Sequence, residues 1–362
     1  MNDNSVLGKN WISKRYNEDQ VNFLKENFDL SEIVSKLIAI RNINIEEVKL
    51  FLNPKIKNFL PNPFILKDME KAVDRTVKAI KNNEKIGIFG DYDVDGATST
   101  AILGNYFNQI DRKTEIYIPD RKNEGYGPNQ QGFEKLISNG SKLIFTVDCG
   151  TLSFDTINFS QSKNTDVLVL DHHQSDLKLP NAFSIVNPNR FDDKSNLNYL
   201  CAAGVCFMFL VALNKKLREI DWFKKNNIDE PNLMNYLDLV SLGTVCDVVP
   251  LIGLNRAIVR QGLEVLKNKL NLGLKTLKNV CGIESNITTY HLGYVIGPRI
   301  NAGGRVGKCS HGANLLLSKD SKETFKIATE LESFNEERRL IESNMLEKIK
   351  NTISINSDDP VI

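Results

Sequence analysis

Apolar residues recur at helical spacing through the first 80 positions, in VNFLKENFDLSEIVSKLIAI (21–40) and again in DMEKAVDRTVKAI (68–80). Such spacing predicts amphipathic helices, with Asp68 as the N-cap of the second. The pattern then breaks into short apolar runs at 85–89, 115–118, 143–147, 167–170 and 183–186. Helix-compatible stretches at 97–108, 128–138 and 153–163 separate the first four. Strand-length runs alternating with helices predict a mostly parallel sheet with helices on both faces, an α/β fold. Past Asn187 the chain reads as helices at 202–219, 231–243, 255–268, 272–281 and 288–296. GPRINAGGRVG (297–307) then reads as a Gly-rich loop. The charged segment 319–352 predicts one helix longer than most in globular proteins. The final SDDPVI looks like the start of a further strand.

Composition narrows this picture only a little. The chain has 362 residues, 41% hydrophobic and 25% charged, as in an ordinary globular protein of two domains or one with additions. MNDNSVLGKNWISKRY has no basic start followed by an apolar core, so no signal peptide is expected. The longest nearly apolar run, Ala202 to Leu213, is too short to span a bilayer. Six cysteines, at 149, 201, 206, 246, 281 and 309, form no C-x-x-C pair, which argues against a zinc cluster or disulfide framework and suits a reducing cytoplasm. Net charge is +1, yet residues 251–310 hold nine Lys/Arg against Glu264 and Glu284. Such a block attracts phosphates, although a solvated helix face gives the same pattern.

The candidate chemistry begins at FGDYDVDGATST (89–100). Asp91, Asp93, Asp95 and Gly96 match the first half of an EF-hand loop, but Ile102 stands where the bidentate glutamate belongs. The preceding KIGIF reads as a strand, which removes the entering helix as well. A D-x-D after a strand also opens phosphatases of the haloacid-dehalogenase type, which need a downstream lysine and acid set. Two other strand ends carry acids: Asp148, and the run Asp171-His172-His173. Ligands of open α/β sheets bind at the carboxyl ends of parallel strands, so these loops should converge. Crowded carboxylates repel unless a cation compensates, and Asp oxygens with an imidazole suit Mn²⁺ or Mg²⁺. Two such ions, about 3.5–4 Å apart, support phosphoryl displacement. Any single aspartate here also reads as a helix N-cap, Asp95 among them. Asp247 is a fourth candidate, while Asp238 reads as exposed helix. Arg299 and Arg305 in the Gly-rich segment offer forked donors for phosphate. His291 is either a substrate contact or a structural histidine.

Taken in order, GDYDVDG, TVDCG, DHH, GTVCDVVPL and GPRINAGGR resemble the successive motifs of the DHH phosphoesterase superfamily. They resemble more narrowly its RecJ-like branch of single-stranded-DNA-specific exonucleases, and Phe89 supports this because other branches usually carry histidine there. The similarity runs from about residue 40 to the end, and FLNPKIKNFLPNPFILKDMEKAV resembles the family's lead-in. It implies a domain order of helical lead-in (1–80), DHH catalytic domain (81–318), interdomain-type helix (319–352) and the beginning of a missing DHH-associated domain (353–362). Asp93, Asp95, Asp148, His172 and Asp247 become metal ligands for two Mn²⁺ or Mg²⁺ ions, and Asp91 a ligand or a group behind one. His173 would contact the scissile phosphate, with Arg299, Asn301 and Arg305 on the phosphate backbone. The implied reaction is 5′-to-3′ hydrolysis of single-stranded DNA to 5′-mononucleotides in repair or recombination. A cytoplasmic monomer is implied, partnered by a single-strand-binding protein or helicase and by no membrane. Two rivals remain: a DHH phosphoesterase of short oligonucleotides or cyclic dinucleotides, and an inactive metal- or DNA-binding remnant.

Overall fold

The computed structural model describes Asn10 and residues 12–268 and 271–352. Residues 1–9 of the start read above, Lys269 of the basic block and the strand expected within 353–362 lie outside the described residues. The chain divides into two compact units, Met1–Phe59 and Leu60–Ile362.

The first unit is helical: α1 (Glu18–Phe28), α2 (Glu32–Ile40), α3 (Val48–Leu52) and α4 (Ile56–Phe59). Asn17 caps α1 by accepting the N–H groups of Asp19 and Gln20, and Ser31 caps α2 through Val34. Leu24, Ile38 and Val48 form its small core.

The second unit opens with α5 (Met69–Lys81), so this helix belongs by packing to the sheet and not to the preceding helices. Strands β1 (Lys85–Gly90), β2 (Thr114–Tyr117), β3 (Ser141–Val147), β4 (Asp166–Leu170) and β5 (Ser184–Val186) pair in the order β2-β1-β3-β4-β5, all parallel. Intervening helices are α6 (Val94–Gln109), α7 (Gln130–Ser138) and α8 (Phe154–Ser162). Both sheet faces are covered, because successive strand residues face opposite ways. Ile144 joins Phe89, Phe133, Ile157 and Val167 in the layer under α7 and α8. Its neighbour Phe145 packs between Phe107 of α6 and Phe209 of α9 (Ala202–Glu219). Burying each such ring contributes about 1.5–3 kcal/mol. The expected parallel α/β architecture is therefore the one observed.

The helical remainder comprises α10 (Trp222–Lys225), α11 (Leu237–Cys246), α12 (Gly253–Asn268), α13 (Leu272–Val280), α14 (Gly297–Arg305), α15 (His311–Leu317) and α16 (Ser321–Thr352). A π-helical turn, His291–Ile296, runs straight into α14. Four expectations need correction. The Gly-rich segment is a helix: its glycines serve close packing, since a Cβ on Gly304 would sit 2.7 Å from the Tyr92 ring. The expected helix 231–243 starts later, after a 3₁₀ turn at Leu233–Tyr236. Asp68 occupies the cap position of α5 but makes no cap bond; its carboxylate holds Arg190 and the Ile185 N–H. Asp238 is buried, and its carboxylate accepts the N–H groups of Leu239 and Asn271. The first half of α16 buries Ile327, Ala328 and Leu331, whereas no residue from 336 to 352 is buried. Among the described residues no helix is long and apolar enough to cross a membrane.

Candidate metal centre

Strand order reverses at β1, which has β2 on one side and β3 on the other. At such a switch point the loops leaving the carboxyl ends diverge and open a crevice. The acids expected from sequence lie there. Asp91, Asp148 and Asp171 each follow a strand by one residue, and each still donates its N–H to the adjacent strand or its end, to Val147, Leu170 and Val186. Their backbones are thus pinned to the sheet. Asp148 adopts a left-handed conformation (φ 60°), which aspartate tolerates better than most residues. Gly150 follows at φ 111°, where any Cβ would collide with Thr146.

The other carboxylates arrive by helix ends. Asp93 is the N-cap of α6 and accepts the Gly96 N–H at 3.0 Å. Asp95, expected as a possible local cap, instead caps a distant helix: its two oxygens accept Ala202 N–H (2.6 Å) and Ala203 N–H (2.9 Å) at the start of α9. Asp247 terminates α11. His172 Nε2 then lies 3.4 Å from Asp148 Oδ1, 3.6 Å from Asp247 Oδ2 and 3.8 Å from Asp95 Oδ2. It hydrogen-bonds to none of them, and Asp91 Oδ1 and Asp148 Oδ1 are likewise buried without partners. Three compact donor sets result, Asp95–His172–Asp247, Asp91–Asp93–Asp148 and Asp148–His172–His173, so that Asp148 and His172 are each shared between two of them. Ligands sharing one cation with bonds of about 2.0–2.1 Å stand roughly 3 Å or more apart, so these separations fit shared ligation better than hydrogen bonding.

Electrostatics agree with that fit. Burial, then the charge of Asp93, pushes Asp91 up to about 7. Burial, then Asp95 and Asp93, does the same to Asp247, also to about 7. Burial and neighbouring acids drive Asp148 well above the ordinary carboxylate range, and burial raises Asp95. Asp171 behaves oppositely. Burial opposes its charge, but hydrogen bonds from His173 and Thr151 outweigh burial and hold it far below the ordinary range. Its partner His173, bonded through Nδ1 at 2.8 Å, is raised to about 9, chiefly by that bond.

Beside these donors lies a cavity of about 400 Å³. His173, half exposed, faces it with Asp91 and Asp93; Asn301 and Arg305 of α14 close another side. Three further lining residues were not singled out from sequence: Tyr92, Arg121 and Tyr126. The Arg121 guanidinium sits 5.4 Å from the Tyr92 ring centroid, and Tyr126 Oη is 3.4 Å from His173 Nε2. Asn187 was missed as well; it follows β5 and binds Thr151 Oγ1 and the His173 carbonyl. The strand-end logic that found Asp148 would have found it. Arg299, expected on phosphate, does not line the cavity; it is buried and ion-paired with Glu332. Nor does His291, whose Nδ1 accepts the Thr288 N–H.

Residues 85–244 match the DHH family, N-terminal domain. The chain is 35% identical over 342 residues to the single-stranded-DNA-specific exonuclease RecJ of Bacillus subtilis, covering 93% of this chain and 41% of that protein. It is 39% identical to RecJ of Haemophilus influenzae, covering 88% and 55% respectively. A crystal structure of exonuclease RecJ bound to manganese superposes with a TM-score of 0.71 at 31% identity, over 82% of this chain and 71% of that one. RecJ of Thermus thermophilus in complex with Mn²⁺ gives 0.76 at 27%, over 95% and 47%. The chain spans about half the length of the curated relatives it matches. On this sequence and fold similarity, the chain belongs to the RecJ branch of the DHH family.

Proposed function

We propose that this chain carries the hydrolytic centre of a divalent-metal-dependent exonuclease acting on single-stranded DNA from the 5′ end. The observation that carries this reading is the cluster of acidic donor sets in which Asp91 Oδ1, Asp148 Oδ1 and His172 Nε2 are buried without a protein partner. Asp93, Asp95, Asp148, His172 and Asp247, with Asp91, would hold Mn²⁺ or Mg²⁺, the ions bound in related RecJ structures. A divalent cation bound there supplies charge neutralisation and Lewis acidity toward a phosphate oxygen. The remaining steps belong to the chain's own residues. His173, held through Nδ1 by Asp171, turns Nε2 and a positive charge toward the cavity to bind a phosphate oxygen. Arg305 and Asn301 hold the neighbouring backbone phosphate, and Arg121 faces the same space. Six unpaired cysteines fit a cytoplasmic location.

The test offers 5′-labelled and 3′-labelled single strands, a duplex and a dinucleotide, each with Mn²⁺ and with chelator. Release of 5′-mononucleotides from single strands alone is the expected result. Preference for the dinucleotide supports an oligonucleotide phosphoesterase instead, cleavage that survives chelation removes the metal, and metal binding without turnover leaves a binding remnant.

A further inference from the structure

The two faces of α14 have different neighbours. Asn301 and Arg305, four residues apart, share the face toward the cavity. Arg299 lies two residues before Asn301, about 200° around the helix, and turns into α16. There its Nε and Nη2 engage both oxygens of Glu332, Nη2 at 2.9 Å, while Nη1 donates to the Val295 carbonyl at 2.8 Å. All three guanidinium nitrogens are therefore occupied within a side chain that is 11% exposed.

The seam around this pair is smooth. A Cβ on Gly303 would approach Leu331 Cδ2 to 3.1 Å, and one on Gly307 would collide with the Phe334 ring. Glycines let the two helices approach closely, but they offer no side chains to interlock and resist sliding. A bidentate, charge-assisted pair supplies the directional constraint that this surface lacks. Nearby, Glu330 takes His311 Nε2 at 2.5 Å and ties α15 to the same stretch of α16. On its opposite face α14 reaches the first acid loop, where Asn301 Oδ1 accepts the Val94 N–H at 3.1 Å, next to Asp93.

We propose that Arg299 and Glu332 are a positioning pair: α16 fixes the rotation and axial setting of α14, and Arg299 acts on substrate only through Asn301 and Arg305. The inference rests on reading the cavity as a phosphate site. Glu332→Gln separates the alternatives. For a positioning pair, amide exchange across 297–305 quickens while Met69–Lys81 is unchanged. Affinity for a single-stranded oligonucleotide, followed by anisotropy with Ca²⁺ in place of Mn²⁺, falls roughly tenfold. The same substitution made in an Asn301→Ala/Arg305→Ala background costs no further affinity, and reversing the pair (Arg299→Glu with Glu332→Arg) restores most of what Glu332→Gln loses. Tighter binding by Glu332→Gln would mean that Arg299 is itself a phosphate ligand. A lower melting temperature at unchanged affinity would mean a purely structural tie. Either result overturns the proposal, as does an additive loss in the Asn301→Ala/Arg305→Ala background. If the wild-type chain binds no oligonucleotide, the phosphate reading falls with the substrate half of the proposal, whereas unchanged exchange across 297–305 rejects the positioning itself.

Discussion

The two ends of one sheet treat acids in opposite ways. At the amino ends, Arg75 of α5 reaches Asp166 at the start of β4 (2.5 Å), Glu84 just before β1 (2.7 Å) and the Lys142 carbonyl of β3. The protein supplies its own cation there, and both carboxylates are matched by it, with only Arg75 Nη1 left buried without a partner. At the carboxyl ends, Asp95, Asp148 and Asp247 crowd around one imidazole with Asp91 beside Asp148, and the pressure on each acid comes from burial and the other acids. One end is finished by folding; the other is left needing positive charge. That need is what separates a site from a structural ion pair.

The contrast is broken most forcefully at Asp148. Asparagine accepts the left-handed backbone as aspartate does, so Asp148→Asn should fold. Turnover on single-stranded DNA is expected to fall at least about 10³-fold, near 4 kcal/mol in the barrier. In chelator the melting temperature should rise, because asparagine spares the fold a carboxyl whose ionisation burial and the neighbouring acids oppose. A lower melting temperature with residual turnover would end the metal assignment.

Metal addition comes next in size. Asp91 and Asp247 are raised to about 7, so the folded state holds protons that the unfolded chain releases. Their contribution to metal-free stability is complete below the ordinary value of 3.8 and is lost as pH rises through about 7. Mn²⁺ requires the ionised forms, so its stabilisation should grow across that window, reaching about 2.7 kcal/mol at a hundredfold excess over Kd. Calorimetry in buffers of different ionisation enthalpy should record proton release that shrinks above about pH 8. Binding that takes up protons would contradict the crowding argument.

The opposite end gives the smaller, purely structural response. Arg75→Met strands Glu84 and Asp166, and the loss should be about 2–3 kcal/mol, below the usual cost of a fully buried pair because the Asp166 side chain is 43% exposed. Turnover per folded molecule should not change. Denaturant unfolding together with active-site-normalised rates checks both halves.

Legibility in the sequence followed the same division. Strand ends are fixed by short apolar runs, so acids one residue beyond them, Asp148 and the Asp171-His172-His173 run, could be placed together without a structure. Helix partners were not readable. Nothing in GPRINAGGRVG says that its glycines pack a helix against Tyr92 and α16, and arginines in a Gly-rich stretch look alike until helical phase separates Arg305 from Arg299. Asp95 looked like a local cap because its true partners, Ala202 and Ala203, lie more than 100 residues on. Tyr126 and Arg121 sit between β2 and α7 in a segment with no periodic pattern to mark it.

Asp238 sharpens the comparison with the smallest expected effect. It too is a buried carboxylate raised by burial, to about 6, but it is offset by the N–H groups of Asn271 and Leu239 and by no neighbouring acid. Its stabilising contribution is therefore complete below the ordinary value of 3.8 and lost as pH rises through about 6. Asp238→Asn removes that titration but keeps only one acceptor oxygen for two donors. Relative to the parent chain, the variant should gain about 3 kcal/mol between acidic and mildly alkaline pH, starting from a deficit of about 1 kcal/mol at the acidic end, a net effect of about 2 kcal/mol. Melting curves with and without Mn²⁺ should show the same gain, since this carboxylate lies among backbone donors and not in the acid cluster. A gain that disappears when Mn²⁺ is present would place Asp238 in the cluster's electrostatics and weaken the distinction between crowded acids and a singly buried one.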